Sequence, residues 1–257
     1  MHATFRIDPI RAFNDNYIWC IRDDARATVV DPGDARPVFE YLSAERLQLS
    51  AILGTHHHAD HVGGISALTD AFPVPVYAPF DDRIDRVTRR VGEGDLVALP
   101  EWNLTLRTLK IPGHTRTHVA YYGANLLFCG DTLFACGCGR LFEGTPEQMC
   151  KSLATLTALP DEALVYCGHE YTESNLKFAR AVDPENTTLV AWQREAREQR
   201  SGGRPTLPSL LGREKAANPF LRCSDPTVVA AANRHAGRKL ASPIEVFATL
   251  REWKNSF

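Results

Sequence analysis

The sequence has 257 residues, a length that suits one large domain or a medium domain with a small addition. Its 29 Lys and Arg residues against 31 Asp and Glu residues give a net charge of -2, which argues against a nucleic-acid or anionic-membrane partner. No run approaches the roughly 18 consecutive apolar residues of a transmembrane helix, and no signal-peptide pattern begins the chain, so we expect a cytoplasmic protein.

The first two-thirds of the chain shows short strand patterns separated by turns. These patterns lie at residues 4–10, 16–23, 27–33, 49–55, 73–79, 95–100, 104–111, 119–131 and 162–170. Helical patterns lie at 34–45, 63–72 and 145–159. The last of these has Thr145 as its expected N-cap and Pro146 at the first helical position. This order favours two sheets covered by helices, or a single mixed sheet.

The character of the sequence changes after about residue 171. Helical patterns lie at 171–182, 188–200, 225–237 and 242–257, with Asp225 and Ser242 as expected N-caps. A connection rich in Gly and Pro spans 201–220, and no strand pattern is present in this part of the sequence. We therefore predict a domain at residues 1–170 and a small, mostly helical domain at 171–257.

The seven cysteines are odd in number and scattered. Without a secretion signal, we expect reduced thiols rather than disulfides. The closest pair, Cys136 and Cys138, has CxC spacing with no second pair to match it, so we predict no cysteine chemistry. Cys129 and Cys167 each end an apolar run, which is typical of a buried small hydrophobic residue.

Histidines cluster directly after the strand pattern at 49–55, in the order His56-x-His58-x-Asp60-His61. In extended backbone His56 and His58 point the same way, so they can chelate one ion. We expect Asp60 to continue this alternation and His61 to begin a turn and point elsewhere, which would serve a second, adjacent metal. His57 interrupts the alternation and is left out. A surface histidine tract is the alternative, and the following acid and histidine argue against it.

Three more candidate ligands follow a strand pattern and a glycine: His114, Asp131 and His169. Ligands at strand ends can converge on one rim of a sheet, although Asp131 alone could be a turn former. Five histidines and two aspartates without a thiolate suit zinc, iron or manganese. A metal lowers the pKa of its bound water to about 7, which points to hydrolysis. His2, His118 and His235 are interpreted as structural or exposed.

The complete set of motifs resembles the metallo-β-lactamase superfamily, whose fold is an αββα sandwich. Further segments are similar to the hydroxyacylglutathione hydrolase family, also called glyoxalase II. These segments are 136–144, 168–172, 175–179, 218–222 and 251–254, the last within a helical C-terminal unit. The resemblance implies hydrolysis of S-D-lactoylglutathione to glutathione and D-lactate, the second step of methylglyoxal detoxification.

The resemblance also implies a role for each matching residue. The site would hold two divalent metal ions, with zinc expected in preference to iron or manganese. One of them would be held by His56, His58 and His114. The other would be held by Asp60, His61 and His169. Asp131 would bridge the two, with Asp60 and Asp131 as catalytic residues. The glutathione-binding positions would be Arg140, Phe142, Tyr171, Asn175, Arg251 and Lys254. We expect a monomer that acts on a small glutathione thioester.

The residues themselves support part of this assignment. Arg251 and Lys254 are three residues apart and share one helical face, where they could grip a carboxylate of glutathione. A solvated basic helix end is the alternative. Some relatives carry Lys and Tyr in place of Arg140 and Phe142, so the positive charge is kept here but a phenol hydrogen bond is lost.

Three other functions remain open from the sequence. A persulfide dioxygenase would use one iron on a similar ligand set and would consume oxygen. A nuclease or lactonase could share the core, although a nuclease should show an excess of basic residues. A non-catalytic metal-binding or scaffold protein is the third alternative.

Overall fold

The computed structural model describes residues 5–257, and contacts between residues divide the chain into two compact units. The first unit contains the residues up to Lys110 together with Thr117–Gly130, and the second contains Ile111–Arg116 and Asp131–Phe257. His2 and the first residue of the predicted strand at 4–10 lie outside the described residues. The predicted domain boundary after residue 170 stays a prediction.

The first unit begins with a six-stranded sheet whose strands lie side by side in chain order. They are β1 (Arg6–Ala12), β2 (Asn16–Arg22), β3 (Arg26–Val30), β4 (Gln48–Leu53), β5 (Val76–Pro79) and β6 (Arg89–Val91). The first three pair antiparallel, and β3 to β6 pair parallel. The helices of this unit are α1 (Ala35–Glu45), α2 (Ala59–Val62) and α3 (Ile65–Ala71). Val38 and Leu42 of α1 and Leu68 of α3 join the apolar core of this sheet.

Four antiparallel strands complete the first unit. They are β7 (Leu96–Leu99), β8 (Leu104–Lys110), β9 (Val119–Gly123) and β10 (Leu126–Gly130). The single strand pattern at 119–131 is therefore a hairpin. Its turn residues, Ala124 and Asn125, both have positive φ, as a tight two-residue hairpin requires. The buried Tyr121 hydroxyl donates to the carbonyl of Gly54 at 2.8 Å and so links β9 to the end of β4.

The second unit is mostly helical. Its helices are α4 (Pro146–Thr157), α5 (Thr172–Val182), α6 (Thr187–Ser201), α7 (Leu211–Ala217), α8 (Pro226–Ala236) and α9 (Pro243–Ser256). Two short antiparallel strand pairs accompany them: β11 (Leu133–Phe134) with β12 (Gly137–Cys138), and β13 (Leu164–Cys167) with β14 (Ser209–Leu210). A 3-10 turn spans Pro219–Leu221.

Two expectations for the region after residue 171 are wrong. Ser209 and Leu210 form a strand because they pair with Val165 and Leu164, and two residues are too few to show a period in the sequence. The connection predicted at 201–220 also contains α7, a seven-residue helix whose second position is a glycine, which weakens its helical pattern.

The predicted helix starts are confirmed. Thr145 accepts a hydrogen bond from the Gln148 backbone N–H, and the Gln148 side chain accepts one from the Thr145 N–H, which completes a capping box. Asp225 and Ser242 also accept backbone hydrogen bonds at the starts of α8 and α9.

All seven cysteines lie in the described residues, and none of them forms a disulfide. Cys129 and Cys167 are fully buried, as predicted. None of the helices between residues 5 and 257 combines the length and the apolar character that crossing a membrane would need.

Candidate functional site

The histidine cluster of the first unit follows β4. His56 Nε2 lies 3.1 Å from His58 Nδ1, which confirms that these two rings point to the same side. The expectation that Asp60 continues the extended alternation is wrong, because α2 begins at Ala59. The carbonyl of His58 accepts from the backbone N–H of His61 at 2.9 Å and closes a helical turn. Asp60 Oδ2 is 3.6 Å from His61 Nε2 within that turn.

A buried carboxylate that the sequence analysis missed orients these rings. Asp31, 4% exposed, accepts hydrogen bonds from the Thr55 hydroxyl at 2.7 Å and from His61 Nδ1 at 3.0 Å. Because the Thr55 hydroxyl donates its proton to Asp31, its oxygen can accept a hydrogen bond from His56 Nδ1, which lies 3.0 Å away. Because the Nδ1 protons of His56 and His61 are both engaged, each Nε2 carries a lone pair, which is the form that binds a divalent metal.

The signal for Asp31 is present in the sequence. Asp31 directly follows the buried strand β3 and precedes Pro32 and Gly33, much as Asp131 directly follows β10. Gly33 also allows a close backbone approach, because a Cβ at this position would lie 1.9 Å from the Asp60 carbonyl oxygen.

Asp31→Asn is expected to weaken metal binding about 10- to 100-fold, because both Asp31 oxygens accept, Oδ1 from the Thr55 N–H and Oδ2 from the Thr55 hydroxyl and His61 Nδ1, and an amide keeps only one acceptor oxygen. Titration with zinc against a chromophoric chelator measures this affinity. Asp34→Asn is a matched control, since Asp34 caps α1 through the Arg36 N–H and touches no histidine in that cap. Equal zinc affinity in the Asp31 variant and the unmodified protein would contradict the orienting role.

In the second unit, two histidines share one carboxylate oxygen. Asp131 Oδ2 lies 3.4 Å from His114 Nε2 and 3.3 Å from His169 Nε2, and all three residues are buried. His114 Nδ1 is 2.8 Å from the Arg140 carbonyl, so this ring also presents the lone pair of Nε2. Gly139 is required here, because a Cβ would lie 1.9 Å from the Asp131 carbonyl oxygen. The carboxylate and imidazole donors of each unit are of the chemical type that binds a divalent metal.

A cavity of about 440 Å³ adjoins these ligands within the second unit. Its lining is His114, Asp131, Phe134, Cys138, Arg140, Phe142, Tyr171, Ser174, Asn175, Arg251 and Lys254. All six predicted glutathione-binding residues are thus brought together with two predicted metal ligands. The volume is in the range of small-molecule sites.

Aromatic rings connect the cavity to the metal ligands. Tyr171 stacks on His169 with ring centroids 4.7 Å apart and an interplanar angle of 4°, and the Phe134 ring meets His169 edge-on at 5.8 Å. Phe142 is an exposed ring against His114 at 5.2 Å. Asn175 lines the cavity, but its Nδ2 donates to the Ala135 carbonyl at 3.0 Å and so holds the loop between β11 and β12.

The two cations of α9, Arg251 and Lys254, are less exposed to solvent than the basic residues of a solvated helix end would be. Arg251 is only 7% exposed, and its Nη1 donates to the Cys138 carbonyl at 2.6 Å, while its buried Nε has no hydrogen-bond partner among the described residues. Lys254 Nζ donates to the Ser174 carbonyl at 3.1 Å. Burial, followed by the positive charges of Arg251 and Arg140, lowers the pKa of Lys254 to about 8.

This lowered pKa predicts a pH dependence of anion binding. Lys254 is charged below about pH 8 and becomes neutral as the pH rises through that value, so kcat/KM for the glutathione thioester that the family resemblance implies is expected to fall above pH 8. In Lys254→Arg this alkaline decrease is expected to flatten, because a guanidinium stays protonated. The substrate's own amine titrates equally in both proteins, so the difference between the two profiles reports Lys254. Identical alkaline limbs would contradict the prediction.

The remaining histidines lie outside the ligand set. His57 Nδ1 is 3.5 Å from Asp81 Oδ2, a different direction from that of its neighbours. His118 is fully buried and stacks on His56 with centroids 4.4 Å apart, and His235 is exposed and stacks on Trp253. The structural or exposed roles expected for His118 and His235 stay predictions.

Comparison with known proteins first defines the class. A family model described as the metallo-beta-lactamase superfamily matches residues 12–169. ETHE1 from Myxococcus xanthus has a similar structure, with a TM-score of 0.66, 25% identity, and coverage of 98% of this chain and 99% of that chain. TTHA1623, solved in a di-iron-bound form, has a TM-score of 0.54 and 28% identity over 63% of this chain and 91% of that chain. The predicted metallo-β-lactamase-type αββα fold with a helical C-terminal region is confirmed.

The C-terminal region then specifies the family. A model described as the hydroxyacylglutathione hydrolase C-terminus matches residues 170–257. The hydroxyacylglutathione hydrolase of Nitrosomonas europaea is 53% identical over 249 residues, covering 97% of this chain and 95% of that protein. The chain belongs to the hydroxyacylglutathione hydrolase family.

Proposed function

We propose that this chain is a thioester hydrolase that converts S-D-lactoylglutathione and water to glutathione and D-lactate. Related S-2-hydroxyacylglutathiones are expected to react in the same way. This reaction is the second step of methylglyoxal detoxification. The family membership and the match along nearly the whole chain support it.

One observation carries the proposal. Within the second unit, His114 and Asp131 line the same cavity as Arg140, Arg251 and Lys254. Glutathione carries two carboxylates, and the cations of this cavity can bind them by charge-assisted hydrogen bonds. A glutathione thioester held in this way lies beside ligands of metal-binding type.

The metal assignment is part of the proposal and follows the family pattern. His56, His58 and His114 are assigned to one ion, and Asp60, His61 and His169 to the other, with Asp131 shared by both. We expect two divalent ions, with zinc preferred over iron or manganese. When bound, they would lower the pKa of a bound water and would polarise the thioester carbonyl. The donors of each unit are imidazoles and carboxylates without a thiolate. This donor set supports zinc, iron or manganese and does not distinguish among the three metals.

The chain's own residues supply orientation and proton handling. Asp60 is assigned to orient the attacking water or to accept its proton, and Asn16 Nδ2 holds the Asp60 carboxylate by donating to Oδ2 at 3.0 Å. Arg140, Arg251 and Lys254 would bind the carboxylates of glutathione and keep the thioester in place. The departing thiolate resembles cysteine, with a pKa of about 8.5, so a strong general acid is unnecessary.

We further propose that the enzyme acts in the cytoplasm as a monomer, without a nucleic-acid or membrane partner. The absence of disulfides among its seven cysteines suits a reducing compartment. Sedimentation equilibrium at the mass of one chain tests the monomer, and a dimer mass would overturn it.

The test of the function is the loss of thioester absorbance with S-D-lactoylglutathione, on protein whose metals have been quantified. We expect turnover that requires the metals and stops after chelation. A lack of turnover, together with oxygen uptake on glutathione persulfide, would show a dioxygenase instead. Turnover of a lactone alone would show a lactonase.

A further inference from the structure

The segment 218–222 matches the family pattern but has no role in the chemistry described above. Its first residue, Asn218, is fully buried in the second unit. The Asn218 side chain uses both ends: Nδ2 donates to the Gly137 carbonyl at 2.9 Å, and Oδ1 accepts from the Phe220 N–H at 3.1 Å. Asn218 therefore joins the β11–β12 hairpin to the 3-10 turn at Pro219–Leu221.

A buried carboxylate holds the Asn218 amide in this orientation. Glu214 Oε2 accepts from Asn218 Nδ2 at 3.1 Å and from the Cys136 N–H at 2.9 Å, and Oε1 accepts from the Ser209 hydroxyl at 2.5 Å. With an acceptor fixed on one side, the amide cannot flip without placing its oxygen against the carboxylate. Three segments thus meet on one buried network.

The groups that hold Arg251 lie in the two segments that Asn218 joins. The Arg251 guanidinium donates to the carbonyl of Cys138, the residue after Gly137, and its central carbon lies 5.1 Å over the Phe220 ring. The Phe220 ring is itself fixed, because it is buried and packs against Phe178 and Phe247. The Arg251 side chain held in this way lines the cavity proposed to bind glutathione.

We propose that Asn218 is a positioning residue for substrate binding. By fixing the Gly137–Cys138 carbonyls relative to the Phe220 ring, it sets the place of the Arg251 guanidinium before a glutathione carboxylate arrives. The proposal rests on the proposed function, because that function makes Arg251 a glutathione-binding residue. Pre-organised donors bind more tightly, since less freedom is lost when the ligand binds.

The test is a double-mutant cycle read out by binding rather than turnover. The probe is S-methylglutathione, a thioether that the enzyme cannot hydrolyse, and calorimetry gives its Kd. Asn218→Ala is expected to weaken binding about tenfold when Arg251 is present. In an Arg251→Ala background the same change is expected to alter Kd less than about twofold, because the residues act through one contact network.

Controls separate positioning from a general loss of stability. Asn233→Ala removes one hydrogen bond, from the Leu240 N–H to Asn233 Oδ1 in the same unit, and is expected to leave Kd unchanged. If Asn218→Ala does not fold, Phe220→Leu removes the ring beneath Arg251 and keeps an apolar side chain. This variant is also expected to weaken binding only when Arg251 is present, with metal content and kcat within about twofold of the unmodified enzyme.

The outcomes distinguish the two proposals. Equal weakening with and without Arg251, or unchanged Kd in Asn218→Ala or in Phe220→Leu, would overturn the positioning role and leave the function intact. If the unmodified protein neither hydrolyses S-D-lactoylglutathione nor binds S-methylglutathione, the proposed function fails instead.

Discussion

Asp131→Ala is expected to lose metal and activity together. Asp131 Oδ2 lies close to both His114 Nε2 and His169 Nε2, at 3.4 and 3.3 Å. Its removal takes one anionic donor from both proposed ions, so we expect fewer than one metal per chain after dialysis. We expect kcat/KM to fall at least about a thousandfold, which corresponds to about 4 kcal/mol of transition-state stabilisation.

Elemental analysis and the thioester assay measure these two losses on the same sample. Asp161→Asn is the matched control: Asp161 is an exposed aspartate of the same unit that pairs with Lys215, and its replacement is expected to change neither quantity. Circular dichroism shows whether the Asp131 variant keeps its fold. Full activity with two bound metals in Asp131→Ala would contradict the proposal that Asp131 is a ligand shared by both metals.

Arg251→Ala is expected to raise KM about 30- to 100-fold, with kcat within about threefold of the unmodified enzyme. A hydrogen bond from a charged donor contributes about 1.5–3 kcal/mol, and Arg251 lines the cavity proposed to hold a substrate carboxylate. A contact made equally in the ground and transition states changes KM and leaves kcat alone.

The Arg251 variant also has a structural cost that must be measured separately. Truncation removes the donor to the Cys138 carbonyl, so we expect a loss of about 1–3 kcal/mol in the free energy of unfolding. Arg251→Lys keeps the charge without the planar fork and is expected to raise KM about tenfold. Arg213→Ala, which removes a surface ion pair with Glu195, is the control for losing one cation from this unit. An unchanged KM in Arg251→Ala would contradict the carboxylate-binding role.

Much of the site could be predicted from local sequence because its geometry is local. Two histidines at i and i+2 after a buried strand point to one side through backbone alternation alone, and the structure has His56 and His58 in contact. The start of α4 depends on Thr145, Pro146 and Gln148, which are adjacent in the chain. The expectation for Asp60 failed within the same segment, because the hydrogen bonds of one helical turn begin at His58 and override the alternation.

The sequence by itself therefore determined the ligand types, the family pattern and the long periodic elements, since each of these is written in residues close together in the chain. Only the tertiary structure decided the parts that depend on distant partners. Asp31 is linked to Thr55 and His61, Ser209 pairs with Val165, and Arg251 is buried against a carbonyl 113 positions away. The physical reason is that a buried polar group is stable only where a partner meets it, and folding, rather than local spacing, brings that partner.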